Sequence, residues 1–253
     1  MLTVHINGFD CAYDVRGEGT PLLLLHGGMG IGADWRHVFP TDPDGYQAIV
    51  PDLRGHGRSS NPAGTFTFRQ CAEDVLALAD HLGVDTFDAI GMSMGAKTLL
   101  HVATQQPRRV GAMVLVSATP RFPDSVRPMM AAFTPAMFDA LPAAEQDALR
   151  ARHVRGDDQI RALHAMMGSF ATSFDDMAFT AGTLATITAR TLVVHGDRDA
   201  LYPIESAVEL YRGIPQSALW VVPHGGHGPI FGPQSGAFRE QALSFLRATS
   251  LTK

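Results

Sequence analysis

The strongest constraint on the fold is a series of short apolar runs, each ending at glycine, proline or a polar residue. Residues 22–25 are four consecutive leucines and stop at His26-Gly27-Gly28. Residues 48–50 stop at Pro51-Asp52 and residues 192–194 at His195-Gly196, while residues 87–90, Phe-Asp-Ala-Ile, read as a further strand that stops at Gly91. Residues 112–116 and 219–222 are two more such runs. Unbroken apolar strands belong to sheets covered on both faces, which are mostly parallel. The segments between several of them have helical periodicity. In residues 68–82 the apolar positions Val75, Leu76, Leu78, Ala79 and Leu82 recur at helical spacing, and Gly83 ends the pattern. Further helices are predicted from after Ser93 to before Pro107, over 204–211 and over 234–247. Alternating strands and helices imply an α/β fold with a parallel sheet and helices on both faces. In such sheets ligands bind at the carboxyl ends of the strands. The first 16 residues differ: they alternate around Asn7-Gly8, which signals an antiparallel hairpin.

Residues 120–187 interrupt the alternation. They contain Pro120, Pro123, Pro128, Pro135 and Pro142, show no buried strand, and have helical stretches near 143–153 and 159–167. The expected organisation is therefore one catalytic domain, 1–119 and 188–253, with 120–187 inserted as a helical unit. The chain has 253 residues, 45% of them apolar and 18% charged, which is globular composition. A net charge of −5 provides no basic field for nucleic acid. No run of 18 apolar residues suggests a membrane span, and the N-terminus lacks a signal-peptide pattern, so the cytoplasm is the expected compartment. Cys11 and Cys71 lie far apart and read as two buried thiols.

Three features at predicted strand ends carry chemistry. Gly91-Met92-Ser93-Met94-Gly95 places a serine on a sharp turn between strand and helix, where small neighbours are required. His195-Gly196-Asp197-Arg198-Asp199 and His224-Gly225-Gly226-His227-Gly228-Pro229 follow two later strands. A serine nucleophile needs a base, and the base needs a carboxylate to set its tautomer. The spacing alone leaves Asp197 and Asp199 open as the carboxylate, and His224 and His227 open as the base.

Over nearly its whole length the chain resembles the α/β-hydrolase superfamily, in an esterase- and lactonase-like branch with a small helical cap. The shared motifs are His26-Gly27-Gly28, the run from Asp52 through Arg54, His56 and Arg58 to Ser59, the serine turn, the His195–Asp199 motif with Pro203, and Gly226-His227-Gly228-Pro229 with Pro233. The resemblance implies a mostly parallel sheet of about eight strands, with 120–187 as a cap inserted after the sixth. It implies Ser93 as nucleophile, Asp199 as acid and His227 as base. His26 and His56 would be structural, and Asp52 would anchor the 54–58 loop. The oxyanion hole would be the N–H groups of Gly28 and Met94, with Met29 as a substitute for the first. No metal or cofactor is implied.

Six of the 11 methionines fall within 120–187. Its methionines and phenylalanines, Met167 among them, either pack the insertion on the main domain or line an apolar pocket. Met29, Met129, Met130, Phe133, Met137, Met166 and Phe170 are the candidate substrate contacts. The expected activity is hydrolysis of a small-to-medium apolar carboxylic ester, thioester or lactone through an acyl-enzyme. A small molecule is the expected partner, with room for a homo-oligomer. The alternative is hydrolytic C–C cleavage of a vinylogous diketone, although enzymes of that branch usually carry tryptophan after the base histidine, where this chain has Gly228. An aminopeptidase or a non-catalytic ligand-binding member would be the remaining readings. Serine at the turn argues against the dehalogenase and epoxide-hydrolase branches, which use aspartate there. Arg155-Gly156-Asp157 and Gly17-Glu18-Gly19 read as ordinary loops.

Overall fold

The computed structural model describes residues 2–248. The predicted hairpin is β1 (Leu2–Ile6) and β2 (Phe9–Arg16), paired antiparallel. Asn7 and Gly8 both take positive φ, at 46° and 74°, as a tight two-residue hairpin turn demands. Then follow β3 (Thr20–Leu25), β4 (Tyr46–Pro51), β5 (Phe87–Met92), β6 (Val110–Val116), β7 (Arg190–Gly196) and β8 (Ser217–Val222). They form one sheet in the order β1-β2-β4-β3-β5-β6-β7-β8. Only the pairings of β2 with β1 and β4 are antiparallel.

Period-two alternation divides the apolar strands between two cores. Leu22 and Leu24 pack on one face with Ala112, Val114, Val116, Leu192 and Val194. Leu23 and Leu25 pack on the other with Met113, Leu115 and Val193. All four leucines are fully buried, and each such side chain contributes about 1.5–3 kcal/mol. Helices α1 (Phe68–His81) and α2 (Met94–Gln105) cover the Leu23 face. The Thr67 hydroxyl caps α1 by accepting from Gln70 N–H at 3.0 Å.

The segment between β6 and β7 holds α3 (Arg127–Ala131), α4 (Pro135–Asp139), α5 (Ala143–Arg152), α6 (Asp157–Ser169) and α7 (Ala181–Leu184). Helices α5 and α6 lie where the periodicity placed them. Helices α3 and α4 are too short to show a period, and their prolines, Pro128 and Pro135, sit in the first turn, where a missing N–H costs nothing. An isolated antiparallel bridge between Arg121 and Ala178 joins the two ends of this segment. Helix α8 (Ile204–Gly213) follows β7 on the Leu23 face, and α9 (Ser235–Arg247) packs on the opposite face through Phe238, Ala242 and Leu246. Both cysteines are buried free thiols. Among the described residues no helix is long and apolar enough to cross a membrane.

Strand register aligns the functional loops. Leu25 pairs with Gly91, Met92 with Val116, Val116 with Val194, and Gly196 with Val222. The loops after β3, β5, β7 and β8 therefore leave the sheet from one edge.

Candidate active site

Ser93 sits between β5 and α2 with φ 49° and ψ −101°, a conformation that costs a non-glycine residue of order 1–3 kcal/mol. Its N–H donates to Val116 O at 2.8 Å, and Gly95 N–H donates to His26 O at 3.0 Å. These bonds tie the turn to β6 and β3. The flanking glycines are required by contact: a Cβ at Gly91 would meet Gly95 and Ala96 backbone at 2.6 Å, and one at Gly95 would collide with the Leu25 carbonyl.

The structure brings Ser93, His227 and Asp199 together. His227 Nε2 lies 2.9 Å from Ser93 Oγ. His227 Nδ1 lies 2.9 and 3.1 Å from the two Asp199 carboxylate oxygens. Asp199 in turn accepts from Leu201 N–H at 2.8 Å and Tyr202 N–H at 3.1 Å. Burial alone would raise the Asp199 pKa. The hydrogen bond and charge of His227, with the two backbone N–H groups, outweigh it and hold the carboxyl below its ordinary value. An ionised Asp199 leaves Nδ1 as donor and Nε2 free to accept the serine proton. Asp197 and His224, the two competitors, are exposed on their loops.

His26, His56 and Asp52 have other partners. His26 Nε2 accepts from Leu53 N–H at 2.9 Å while Nδ1 donates to Gly27 O at 2.8 Å, which defines a neutral tautomer. Burial pushes the pKa of both His26 and His56 down. Asp52 accepts from Gly32 N–H at 2.8 Å and Arg58 N–H at 3.0 Å, holding the loops after β3 and β4 against each other.

A cavity of about 170 Å³ opens beside Ser93. Gly28, Met94 and His227 line it, as do Met129, Met130, Phe133 and Phe170. Three candidate contacts lie outside it. Met29, at φ 58°, borders a neighbouring cavity with Trp35 and Arg152. Its carbonyl accepts from His153 Nε2 at 3.2 Å. Met137 is 38% exposed on α4. Met166 borders a separate cavity with Arg54 and Phe66, whereas Met167 lines the Ser93 cavity. The reason is helical: consecutive residues on α6 point about 100° apart, so only one can face Ser93.

Lys97 and Tyr202 also line the cavity, and both were missed by the motif reading. Lys97 is only 3% exposed and donates to the Tyr202 hydroxyl at 2.9 Å. Burial pushes its pKa down to about 7, with Asp199 pulling in the opposite direction. The signal was present in sequence: a lysine four residues after Ser93, on a helix whose neighbours Met94, Ala96, Leu99 and Leu100 are apolar. Among the described residues no cluster of three or more His, Cys, Asp or Glu side chains could hold a metal ion.

The alpha/beta hydrolase fold family matches residues 20–155, more than half of the chain. The chain belongs to the α/β-hydrolase family. The C-terminal part of this α/β hydrolase, residues 176–253, also matches the TAP-like protein family. It is 27% identical over 273 residues to 2-hydroxy-6-oxo-6-(2'-aminophenyl)hexa-2,4-dienoic acid hydrolase of Metapseudomonas resinovorans, covering 99% of this chain and 92% of that protein. It is 36% identical over 115 residues to the soluble epoxide hydrolase of Corynebacterium sp. (strain C12), but that match spans only 46% of this chain and 40% of the relative. Among solved structures it resembles Est816, described as an N-acyl homoserine lactone degrading enzyme, with a TM-score of 0.75, 25% identity and coverage of 96% of this chain and 100% of that one. Family and relatives alike make this α/β hydrolase a hydrolytic enzyme.

Proposed function

We propose that the protein is a serine hydrolase of small carboxylic esters or lactones. The supporting observation is the unbroken hydrogen-bond chain from Ser93 Oγ through His227 to Asp199, beside an apolar cavity. In this reading Ser93 Oγ attacks the carbonyl carbon and its proton passes to His227 Nε2. The resulting oxyanion accepts from the N–H groups of Gly28 and Met94. The carbonyl reforms, the C–O bond to the alcohol breaks, and His227 returns its proton to the departing oxygen. Water, deprotonated by His227, then attacks the acyl-enzyme, and Ser93 leaves with the proton. Asp199 stays ionised and stabilises the imidazolium in both halves. Residues 120–187 act as the cap, contributing Met129, Met130, Phe133, Met167 and Phe170 to the acyl pocket. The volume is below the roughly 300–1,000 Å³ of pockets for drug-sized ligands, which favours a short acyl group.

A second reading is hydrolytic C–C cleavage, favoured by the full-length similarity to the dienoic acid hydrolase. A panel of esters and lactones of graded acyl length, with a chromogenic ring-fission substrate beside it, separates the two. Ser93→Ala is the control. Hydrolysis of esters by wild type and its loss in Ser93→Ala is the expected result; equal rates from both proteins overturn the serine mechanism.

A further inference from the structure

The Ser93 cavity has an apolar wall and one cationic side chain, Lys97. Its ammonium lies 4.9–5.4 Å from the ring centres of Phe68, Phe122 and Tyr202. An ammonium carries three N–H donors. Among the described residues the hydrogen-bond acceptor found for them is the Tyr202 hydroxyl, at 2.9 Å. Because that hydroxyl accepts from Lys97, its own proton remains to donate elsewhere. Two donors thus converge at one place in an otherwise apolar pocket. A buried ammonium is costly unless it is paired and hydrogen-bonded. Burial disfavours the charged form of Lys97, and an anionic acceptor in the cavity would restore it; Asp199, the nearby carboxylate, is committed to His227 and to the N–H groups of Leu201 and Tyr202.

We propose that Lys97 and Tyr202 bind a carboxylate within the acyl pocket, so that the substrate is a half-ester of a short dicarboxylic acid. This rests on the ester-hydrolase reading of Ser93. The spacing suits a short chain. Lys97 follows Ser93 by one helical turn, its backbone N–H donating to Ser93 O at 3.0 Å, and both residues line the one cavity of about 170 Å³. A cavity of that size fits a short linker, such as the three methylenes of a glutarate half-ester.

The test compares monomethyl glutarate with methyl 5-methylhexanoate, an isostere with an isopropyl group in place of the carboxylate. Wild type should favour the glutarate ester in kcat/KM by about ten- to a hundredfold, the worth of a charge-assisted hydrogen bond. Lys97→Met should abolish or reverse that ratio, and Tyr202→Phe should reduce it, chiefly through KM. Lys97→Gln serves if Lys97→Met does not fold. Calorimetric titration of both esters into Ser93→Ala reads the same preference without turnover. If Ser93→Ala hydrolyses esters as fast as wild type, the serine mechanism fails, while the binding preference still judges Lys97. No preference for the glutarate ester in wild type, or equal losses on both esters in the Lys97 and Tyr202 variants, overturns the carboxylate site.

Discussion

Asp199 accepts the His227 ring N–H at 2.9 Å from a loop that leaves β7 beside the loop carrying His227. The pairing of Gly196 with Val222 sets those two loops side by side. Asp199 also takes two backbone N–H groups, so the carboxylate cannot rotate away from the imidazole without breaking them. Asp199→Asn keeps the shape but reverses the preferred imidazole tautomer. Its kcat on a short ester should fall about 10⁴-fold, as it does when a triad carboxylate is amidated. Asp197→Asn, on the exposed face of the loop, should stay within a few-fold of wild type. Steady-state rates of the two variants decide between the aspartates.

Met167, and not Met166, lines the Ser93 cavity. Met167→Ala should move the best acyl length upward by one or more carbons, while Met166→Ala should leave the order of kcat/KM across an ester series unchanged. Identical profiles for Met167→Ala and wild type would exclude α6 from the proposed acyl pocket.

Lys97 gives stability a pH dependence. Burial holds its folded pKa near 7, whereas an unfolded lysine titrates near 10.4. Between those values the unfolded chain holds a proton that the native state lacks, so stability rises with pH; below about pH 7 both states are protonated and the contribution is constant. Tyr202, Cys11 and Cys71 are pushed up by burial and act in the opposite sense at higher pH. From pH 7 to 8.5, the unfolding free energy of wild type minus that of Lys97→Met should therefore grow by about 1–2 kcal/mol. Urea titrations at the two pH values measure it.

Arg54 and Asp74 form a buried bidentate pair, both contacts at 2.7 Å, with the guanidinium 4.0 Å from the Phe9 ring centre. Asn7 Nδ2 also donates to Asp74 at 3.0 Å, so the pair links the β1–β2 turn, the loop after β4 and α1. Asp74→Ala strands a buried cation and should cost about 3–5 kcal/mol. The urea midpoint will fall accordingly, and a change below about 1 kcal/mol would mean that Arg54 finds water.

Gly95 has no room for a side chain, because its Cβ would enter the Leu25 carbonyl. Backbone cannot yield as a flexible side chain does. Gly95→Ala should lower the thermal midpoint and the activity together, whereas Gly236→Ala, in open space on α9, should lower neither.

Local sequence was enough for the hairpin at Asn7-Gly8, the six strands after it and the serine turn, because each depends on residues next to one another: a period, a glycine, a missing Cβ. The choice among chemical groups needed more. Five histidines and three aspartates stand in the motifs, and which of them meets Ser93 depends on the register of β5 through β8. Gly28 and Met94 line the cavity with Ser93 because the loops after β3 and β5 carry them there. The wall of the Ser93 cavity was only partly legible. A methionine in an insertion announces apolar burial, but the rotation of α6 and the seating of α4 determine whether it faces the cavity, another pocket or solvent. Lys97 is the sharpest case. Sequence shows a charge on an apolar helix; only tertiary packing, which encloses it among Phe68, Phe122 and Tyr202, turns that charge into a buried donor beside the serine. Short-range sterics determine elements, whereas desolvation and the meeting of distant groups exist only once the chain is packed.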